Sequence, residues 1–189
     1  MKKSHWLWVL GALLILNAEN ISKSESSRPE SSSLRLAAAA NHGLSPEQTR
    51  QLKALGIKIM LPAYIPKGYK VYSVSAETVP GKSPGSGPRY TVNYTGPNAE
   101  MFALEATSSG VGDPPADKWV TLQHPQLGKM TVVTIQRDAG KTFFVTDWIG
   151  KGPFYHLLSP AMVNRKLQPQ PVSRTEFLKL ARSLAFVKL

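Results

Sequence analysis

The chain has 189 residues, a formal net charge of +11 and no cysteine. Charged residues make up 19% and apolar residues 42% of it, a balance typical of a globular rather than a disordered chain. The lack of cysteine excludes disulfides, thiolate metal sites and an acylated lipoprotein leader. Its 15 prolines and 14 glycines follow no collagen-like period and indicate many turns, which favours a sheet-rich fold.

The N-terminal residues have the features of a secretory signal peptide. Lys2 and Lys3 precede an apolar run at residues 6–16, whose 11 residues are too few for a membrane-spanning helix of roughly 20 residues. We therefore expect residues 1–18 to be a signal peptide cleaved after Ala18, and the protein to be exported to the periplasm or the extracellular space. The alternative is an uncleaved N-terminal membrane anchor. After cleavage we expect no transmembrane span.

Residues 19–43 read as a linker between the leader and a folded domain. Seven of the residues from 22 to 33 are serine, with charged residues between them. Such a segment cannot bury enough apolar surface to offset the entropy lost on ordering, so we expect it to be disordered. Residues 44–189 then form a single domain.

A helix signal stands near each end of this domain. Ser45 as N-cap, Pro46 at the first helical position and Gln48 three residues after the cap predict a helix over residues 46–55. Ser173 and Glu176 predict a full capping box for a second helix. Its apolar residues recur at three- and four-residue spacing and form a stripe suited to lie on a sheet: Phe177, Leu180, Ala181 and Leu184.

Between the helix signals, short apolar stretches alternate with turn residues. Strands are predicted over residues 57–61, 69–77, 89–95, 101–107, 119–122, 130–136, 142–148 and 154–158. The last two are rich in aromatic residues and flank the glycines of residues 149–153, which predicts a hairpin around which the rest packs. The expected fold is α+β: an antiparallel β-sheet of about six to seven strands, with a short N-terminal helix and a C-terminal helix packed on the sheet.

The stretches LPAYIPKGY at residues 61–69, FALEATSSGVG at 102–112 and GPFY at 152–155 resemble a family of exported cyanobacterial proteins of unknown function. The ending SRTEFLKLARSL, residues 173–184, more distantly resembles extracytoplasmic domains attached to some anti-sigma factors. Together the similarities cover roughly residues 44–189. The family often has an asparagine-cysteine pair where this chain has Glu100 and Met101. The resemblance implies export and a compact sheet-plus-helix domain, and it implies no activity and no functional residues.

Two glycine-containing stretches imitate nucleotide-binding motifs. Gly81, Lys82 and Ser83 end like a phosphate-binding loop, but Ala76 occupies the position of its first glycine and prolines follow where a helix should begin. Gly110 and Gly112 lack the third glycine of a dinucleotide-binding turn, and two prolines follow them. We therefore expect no cofactor.

The domain has only two histidines, which limits its candidate chemistry. A metal site would require His124 and His156 to meet a carboxylate such as Asp147, although no pair has helical ligand spacing. We expect no metal site, and we expect His156 to point to the solvent face of its strand. A small periplasmic hydrolase remains as an alternative function. No nucleophile-elbow pattern is present, and its site would have to assemble from Ser109, Asp113, Asp147 and His156.

The folded domain is strongly basic. Removing Lys2 and Lys3 lowers the net charge from +11 to +9, and the linker's three basic and three acidic residues cancel. An excess of +9 attracts anionic partners such as lipid head groups or acidic glycans; the alternative is a charge that only keeps the domain soluble and has no dedicated partner. The basic residues are spread along the chain, and no specific nucleic-acid signature concentrates them.

The sequence favours a non-enzymatic exported cell-envelope domain that binds a protein or an anionic envelope component. Loops carry such functions because a rigid scaffold holds their exposed groups. Backbone N–H groups beside glycines and an ammonium group can converge on an anion. The candidate binding residues are therefore those of two loops: Ser108, Ser109, Gly110, Gly112 and Lys151. In the structural alternative the glycines only turn the chain and Lys151 keeps a hairpin tip soluble.

Overall fold

A computed structural model describes residues 42–82, 85–108, 112, 118–137, 141–161 and 169–189, so the expected signal peptide and nearly all of the linker lie outside the described residues. Within these ranges, the elements in chain order are α1 (Pro46–Ala54), β1 (Ile59–Pro62), β2 (Lys70–Val79), β3 (Gly87–Thr95), β4 (Glu100–Thr107), β5 (Lys118–His124), β6 (Gly128–Arg137), β7 (Lys141–Thr146), β8 (Phe154–Ser159), β9 (Gln170–Pro171), α2 (Arg174–Arg182) and β10 (Leu184–Val187).

The main sheet has eight strands and is almost entirely antiparallel. Seven strands follow the order β2-β3-β4-β8-β7-β6-β5, and β9 pairs in parallel with β4. The expected α+β class with an antiparallel sheet is confirmed. Each predicted strand lies within two residues of an observed one at both ends. The strand number was underestimated, because β9 has only two residues and includes Pro171, which gives no strand pattern.

A separate two-stranded ribbon, β1 with β10, corrects the expected ending of the chain. Leu184 belongs to β10 and not to α2, although it is buried as the apolar stripe requires. The helix stops at Arg182 because Ser183 caps it: the Ser183 hydroxyl donates to the Leu180 carbonyl at 2.8 Å. Helical spacing therefore found the correct buried residue but extended the helix two residues too far.

The two helix starts differ in how completely they are capped. Ser45 and Gln48 form the full capping box that was expected, with both reciprocal hydrogen bonds present. At α2 only half of the expected box forms: the Glu176 N–H donates to the Ser173 hydroxyl, whereas the Glu176 carboxylate accepts from the Tyr64 hydroxyl at 2.7 Å and from Lys179 at 2.9 Å. These partners divert the carboxylate from the cap.

The two strands of the aromatic hairpin, β7 and β8, pair over fewer residues than their sequence suggests. The strands pair at only two positions, Phe144 with Ser159 and Val145 with Leu158, and β7 ends at Thr146 although the pattern predicts a strand through residue 148. At this point the bond to β8 is made by a side chain, since the Leu157 N–H donates to the Thr146 hydroxyl at 3.0 Å, whereas the Asp147 N–H still donates in register to the Thr131 carbonyl of β6 at 2.8 Å. The chain beyond Thr146 thereby leaves the register of the hairpin.

Alternation along the strands gives the main sheet two different faces. The packed face carries the larger apolar cluster, which includes residues of α1, α2, β1 and β10. The second face carries a smaller cluster, with these buried members: Met101, Ala103, Val133, Val145, Leu158 and Ala161. Toward β2 and β3 the second face is polar, so its two halves differ in chemistry.

Two tyrosine hydroxyls attach the ribbon to the packed face of the main sheet. All four residues of β1 are buried, and the Tyr90 hydroxyl both accepts from the Met60 N–H and donates to the Met60 carbonyl, each at 2.9 Å. The Tyr155 hydroxyl donates to the Lys58 carbonyl at 2.7 Å. Tyr90 thus satisfies a backbone donor and acceptor that lie in the core, where lacking a partner is costly.

Tyr94 provides a natural comparison, since it lies on the same strand and the same face. It is also fully buried and stacks on Phe102 with ring centroids 4.5 Å apart, but its hydroxyl has no hydrogen-bond partner in the described part of the chain. The two residues therefore differ in what their hydroxyl groups contribute.

We expect Tyr90→Phe to lower the free energy of unfolding by about 2–4 kcal/mol, because it leaves the N–H and carbonyl of Met60 buried without a partner. Tyr94→Phe should change it by less than about 0.5 kcal/mol, or increase it, because the lost hydroxyl has no partner. Urea unfolding of both variants and the unmodified protein measures this difference. Equal losses in the two variants would contradict the role assigned to the Tyr90 hydroxyl.

Candidate functional site

The two loops that the sequence singles out leave the main sheet at the same end. Thr107, the last residue of β4, pairs with Phe154, the first residue of β8. Ser108, which follows β4, and the turn before β8 therefore lie at the same end of the sheet. A hydrogen bond also joins the two loops, because the Trp148 indole N–H donates to the Gly112 carbonyl at 2.8 Å. We call Gly112, Trp148 and Lys151 the loop surface.

The five candidate binding residues have different positions. Ser109 and Gly110 lie outside the described residues. Ser108 is used by the fold, since its hydroxyl donates to the Pro88 carbonyl at 2.7 Å and so joins the start of β3 to the end of β4. The structure therefore leaves Gly112 and Lys151 as exposed members of the predicted set.

Lys151 stands at the tip of a turn whose shape depends on glycine. Gly150 and Gly152 have φ angles of +105° and +112°, in the region that side chains rarely adopt. A Cβ on Gly150 would lie 2.9 Å from the Pro153 carbonyl oxygen, so the turn also lacks room there. The Lys151 side chain is exposed and forms none of the ion pairs between described residues. Its ammonium group is consequently available to a ligand.

The residues of the alternative hydrolase site are only partly brought together. Ser109 and Asp113 lie outside the described residues. The Asp147 carboxylate accepts from the Trp148 backbone N–H at 2.8 Å, and the His156 ring meets the Trp148 ring edge to face at a centroid distance of 4.4 Å. Asp147 and His156 thus both border Trp148, and each contacts it directly.

His156 is more shielded than expected. It lies on the second face, away from the larger core, but its Nδ1 is buried and has no hydrogen-bond partner among the described residues. Burial lowers the pKa of His156 to about 4, and the nearby Asp147 carboxylate only partly opposes that shift. His156 thus lies on the face away from the larger core, as expected, but its ring is only partly exposed and the imidazole is neutral at pH 7.

Glu105 is a functional candidate that the sequence reading missed. It pairs directly across the strands with His156 and shares the second face with it. Burial raises the pKa of the Glu105 carboxyl, so both members of this pair are shifted toward their uncharged forms. The available signal was a glutamate in the middle of β4, on the face opposite Phe102 and Leu104. Only the register shows that a histidine stands beside it.

His124 cannot join His156 in a metal site. Its Nδ1 accepts from the backbone N–H groups of Gln126 and Leu127, both at 3.1 Å, and holds the turn between β5 and β6. It lies on the packed face with Leu122, whereas His156 lies on the second face. Burial lowers the pKa of His124, as expected for a neutral structural histidine.

A small pocket lies beside the loop surface, between the start of β6 and the segment after β7. Its volume is about 130 Å³. Lys129 and Asp147 supply opposite charges to its wall, and Trp148 borders it. This volume is well below the roughly 300–1,000 Å³ typical of small-molecule sites. The pocket therefore extends the loop surface and does not form a deep site of its own.

Comparisons with known proteins give no match from which a function could be inferred, so the functional proposal is based on the geometry of the site. No protein-family model matches the chain, and neither does a curated protein or a solved structure. Neither helix in the described part of the chain is long and apolar enough to cross a membrane.

We expect the shielding of His156 to appear in the pH dependence of stability. Its folded-state pKa of about 4 lies below the ordinary 6.5, so the unfolded chain binds the proton more strongly between these values. The stability that neutral His156 preserves is present above pH 6.5 and is lost as the pH falls toward 4. Urea unfolding between pH 7 and pH 4.5 should show a shallower loss in His156→Gln, by up to about 3 kcal/mol.

Two charged groups near His156 enter this experiment. Asp147 remains in both proteins, and Glu105 acts in the opposite direction because its raised pKa adds stability as the pH falls. A His156→Gln curve parallel to the unmodified one would show that the ring is hydrated in the folded state.

Proposed function

We propose that the protein is an exported, non-enzymatic cell-envelope domain whose loop surface binds an anionic envelope component. The single observation that carries this proposal is the hydrogen bond from the Trp148 indole to the Gly112 carbonyl. It joins two loops that are 36 residues apart in the chain. A polar surface made from two loops is thereby held on a rigid sheet, the arrangement that binding sites commonly use.

The charges of the domain support an anionic partner. Lys151 is exposed at the turn and lies on a domain that carries nine excess positive charges from residue 44 onward. Such a field attracts an anion from a distance, and an ammonium group beside glycines allows close approach of a phosphate or carboxylate. Screening by salt weakens attraction of this kind, which makes it open to a direct test.

Binding is favoured over hydrolysis by the state of the catalytic candidates. The Asp147 carboxylate accepts from the Trp148 backbone N–H, and His156 Nδ1 is shielded without a described partner. A general base must reach the proton that it removes, and its pKa is best matched near the working pH. A histidine whose pKa is lowered to about 4 is a weak base at pH 7.

Export is the second part of the proposal. It is supported by Lys2, Lys3 and the apolar run of 11 residues, and by the resemblance to exported cyanobacterial proteins. A domain without cysteine, held together by packing alone, suits an envelope compartment of any redox state.

We expect the protein purified from the envelope fraction to begin near Glu19, because cleavage after Ala18 removes the leader. Intact-mass measurement gives the N-terminus directly. Full-length protein recovered from the cytoplasm would contradict export, and full-length protein retained in the membrane fraction would identify an uncleaved anchor.

Lys151→Glu should weaken binding to anionic lipid vesicles by at least about fivefold at low salt, since each basic residue near such a surface contributes about 1 kcal/mol. The salt dependence of binding should also become shallower. Sedimentation with phosphatidylglycerol-containing vesicles at several salt concentrations measures both quantities. Lys67→Glu is the matched control, because it makes the same charge change just before β2, at the opposite end of the sheet. Equal weakening in both variants would show that only net charge matters.

A further inference from the structure

Four polar side chains form a row across the second face of the main sheet. The register places Ser75 beside Thr91, Thr91 beside Glu105, and Glu105 beside His156, on the adjacent strands β2, β3, β4 and β8. Adjacent strands lie about 4.8 Å apart, so the row spans roughly 14 Å. We call these four residues the polar row.

The rows on either side of it show that polar groups on this face normally pair with each other. In one neighbouring row the Asn93 amide donates to the Ser73 hydroxyl at 3.0 Å. In the other, Arg89 forms an ion pair with Glu77 at 2.8 Å. The polar row between them differs, because no hydrogen bond or ion pair joins its side chains to one another or to other described residues.

This lack of partners is costly where water is largely excluded. His156 Nδ1 is buried without a partner in the described structure, and Glu105 opposite it is shielded enough for burial to raise the pKa of its carboxyl. A polar group in such a place is normally hydrogen-bonded, since leaving it unpaired costs free energy on folding. Such a group calls for a partner from outside the described protein, such as a bound ligand, an ion or a water molecule.

Trp148 gives the row an aromatic border. Its ring stands edge to face with the His156 ring, at an angle of 75° between the planes. Its indole N–H is already engaged by the Gly112 carbonyl, so what it offers a ligand is the apolar ring. A few polar groups beside an aromatic wall are the usual composition of a small-molecule site.

We propose that Glu105, His156 and Trp148 form a binding site for a neutral, hydroxyl-rich ligand, of the kind presented by the sugar rings of an envelope glycan. A hydroxyl group both donates and accepts hydrogen bonds, so it can serve the Glu105 carboxyl and the neutral His156 imidazole at once. A charged ligand would instead have to lose its hydration in a place where burial disfavours the charged forms of both side chains. The inference rests on the proposed binding function and adds a second ligand chemistry next to the loop surface.

The test measures binding of neutral oligosaccharides to the mature protein. Trp119→Phe leaves Trp148 as the single tryptophan once Trp6 and Trp8 are removed with the leader, so its fluorescence reports on the site. Tetra-N-acetylchitotetraose and cellotetraose are the neutral probes, and tetragalacturonate is the anionic one. We expect a neutral probe to bind with an affinity that does not change between 25 and 300 mM salt, and to bind at least about tenfold more weakly to Glu105→Leu.

Glu77→Gln is the matched control, since it changes a glutamate of the same face that is already paired. It should leave the affinity for the sugar unchanged. Glu105→Leu should melt at a temperature no lower than the unmodified protein, because it removes a shielded carboxyl that lacks a partner. A gain in stability together with a loss of binding distinguishes a ligand site from a structural glutamate.

Three results would overturn the inference. They are no fluorescence change with either neutral probe at millimolar concentration, unchanged sugar binding by Glu105→Leu, and tighter binding of tetragalacturonate than of the neutral probes. If salt-sensitive binding to anionic vesicles is still observed in any of these cases, the proposed function of the loop surface remains supported. Sugar binding without any vesicle binding would instead support this site and remove the anionic partner.

Discussion

The arrangement of this domain depends on how the backbone of β1 is satisfied inside the core. β1 is buried along its whole length, and among the strands that the structure describes it pairs only with β10. The hydroxyl of Tyr90 supplies both hydrogen bonds that Met60 would otherwise lack, and that of Tyr155 supplies one to Lys58. Because these bonds come from the main sheet, the ribbon can settle only on the packed face. The α2 helix, which leads directly into β10, is placed with it.

The helices and the ribbon all lie on the packed face of the main sheet, so the second face has a different composition. The smaller apolar cluster occupies the second face around Val133 and Val145, while the part over β2, β3 and β4 is polar. Glu105 and His156 lie where these two regions meet. Their partial shielding without pairing follows from this boundary position: apolar neighbours exclude water on one side, and on the other no residue that the structure describes forms a hydrogen bond or ion pair with their side chains.

The fold was far more predictable from the sequence than the candidate site. Strands and helix starts follow from local signals, such as the N-cap at Ser45 and the alternation in β3, and these signals act over a few residues. Glu105 and His156 are 51 positions apart, and only the register of β4 with β8 brings them together. The bond between Trp148 and Gly112 likewise joins distant segments. The burial of Leu184 could be predicted from its helical spacing, but the end of α2 could not. Leu184 would be buried in a longer helix just as it is in the observed strand β10.

The outer strand β5 has a consequence for how copies of this protein meet one another. It has seven residues in unbroken register with β6, contains no proline, and exposes 68% of Trp119. An edge of this kind invites pairing with the same edge of another molecule. The nine excess positive charges of each domain oppose that encounter, since like-charged surfaces repel over about a Debye length. The basic character of the domain thus also protects it from self-association, and this protection weakens as ionic strength rises.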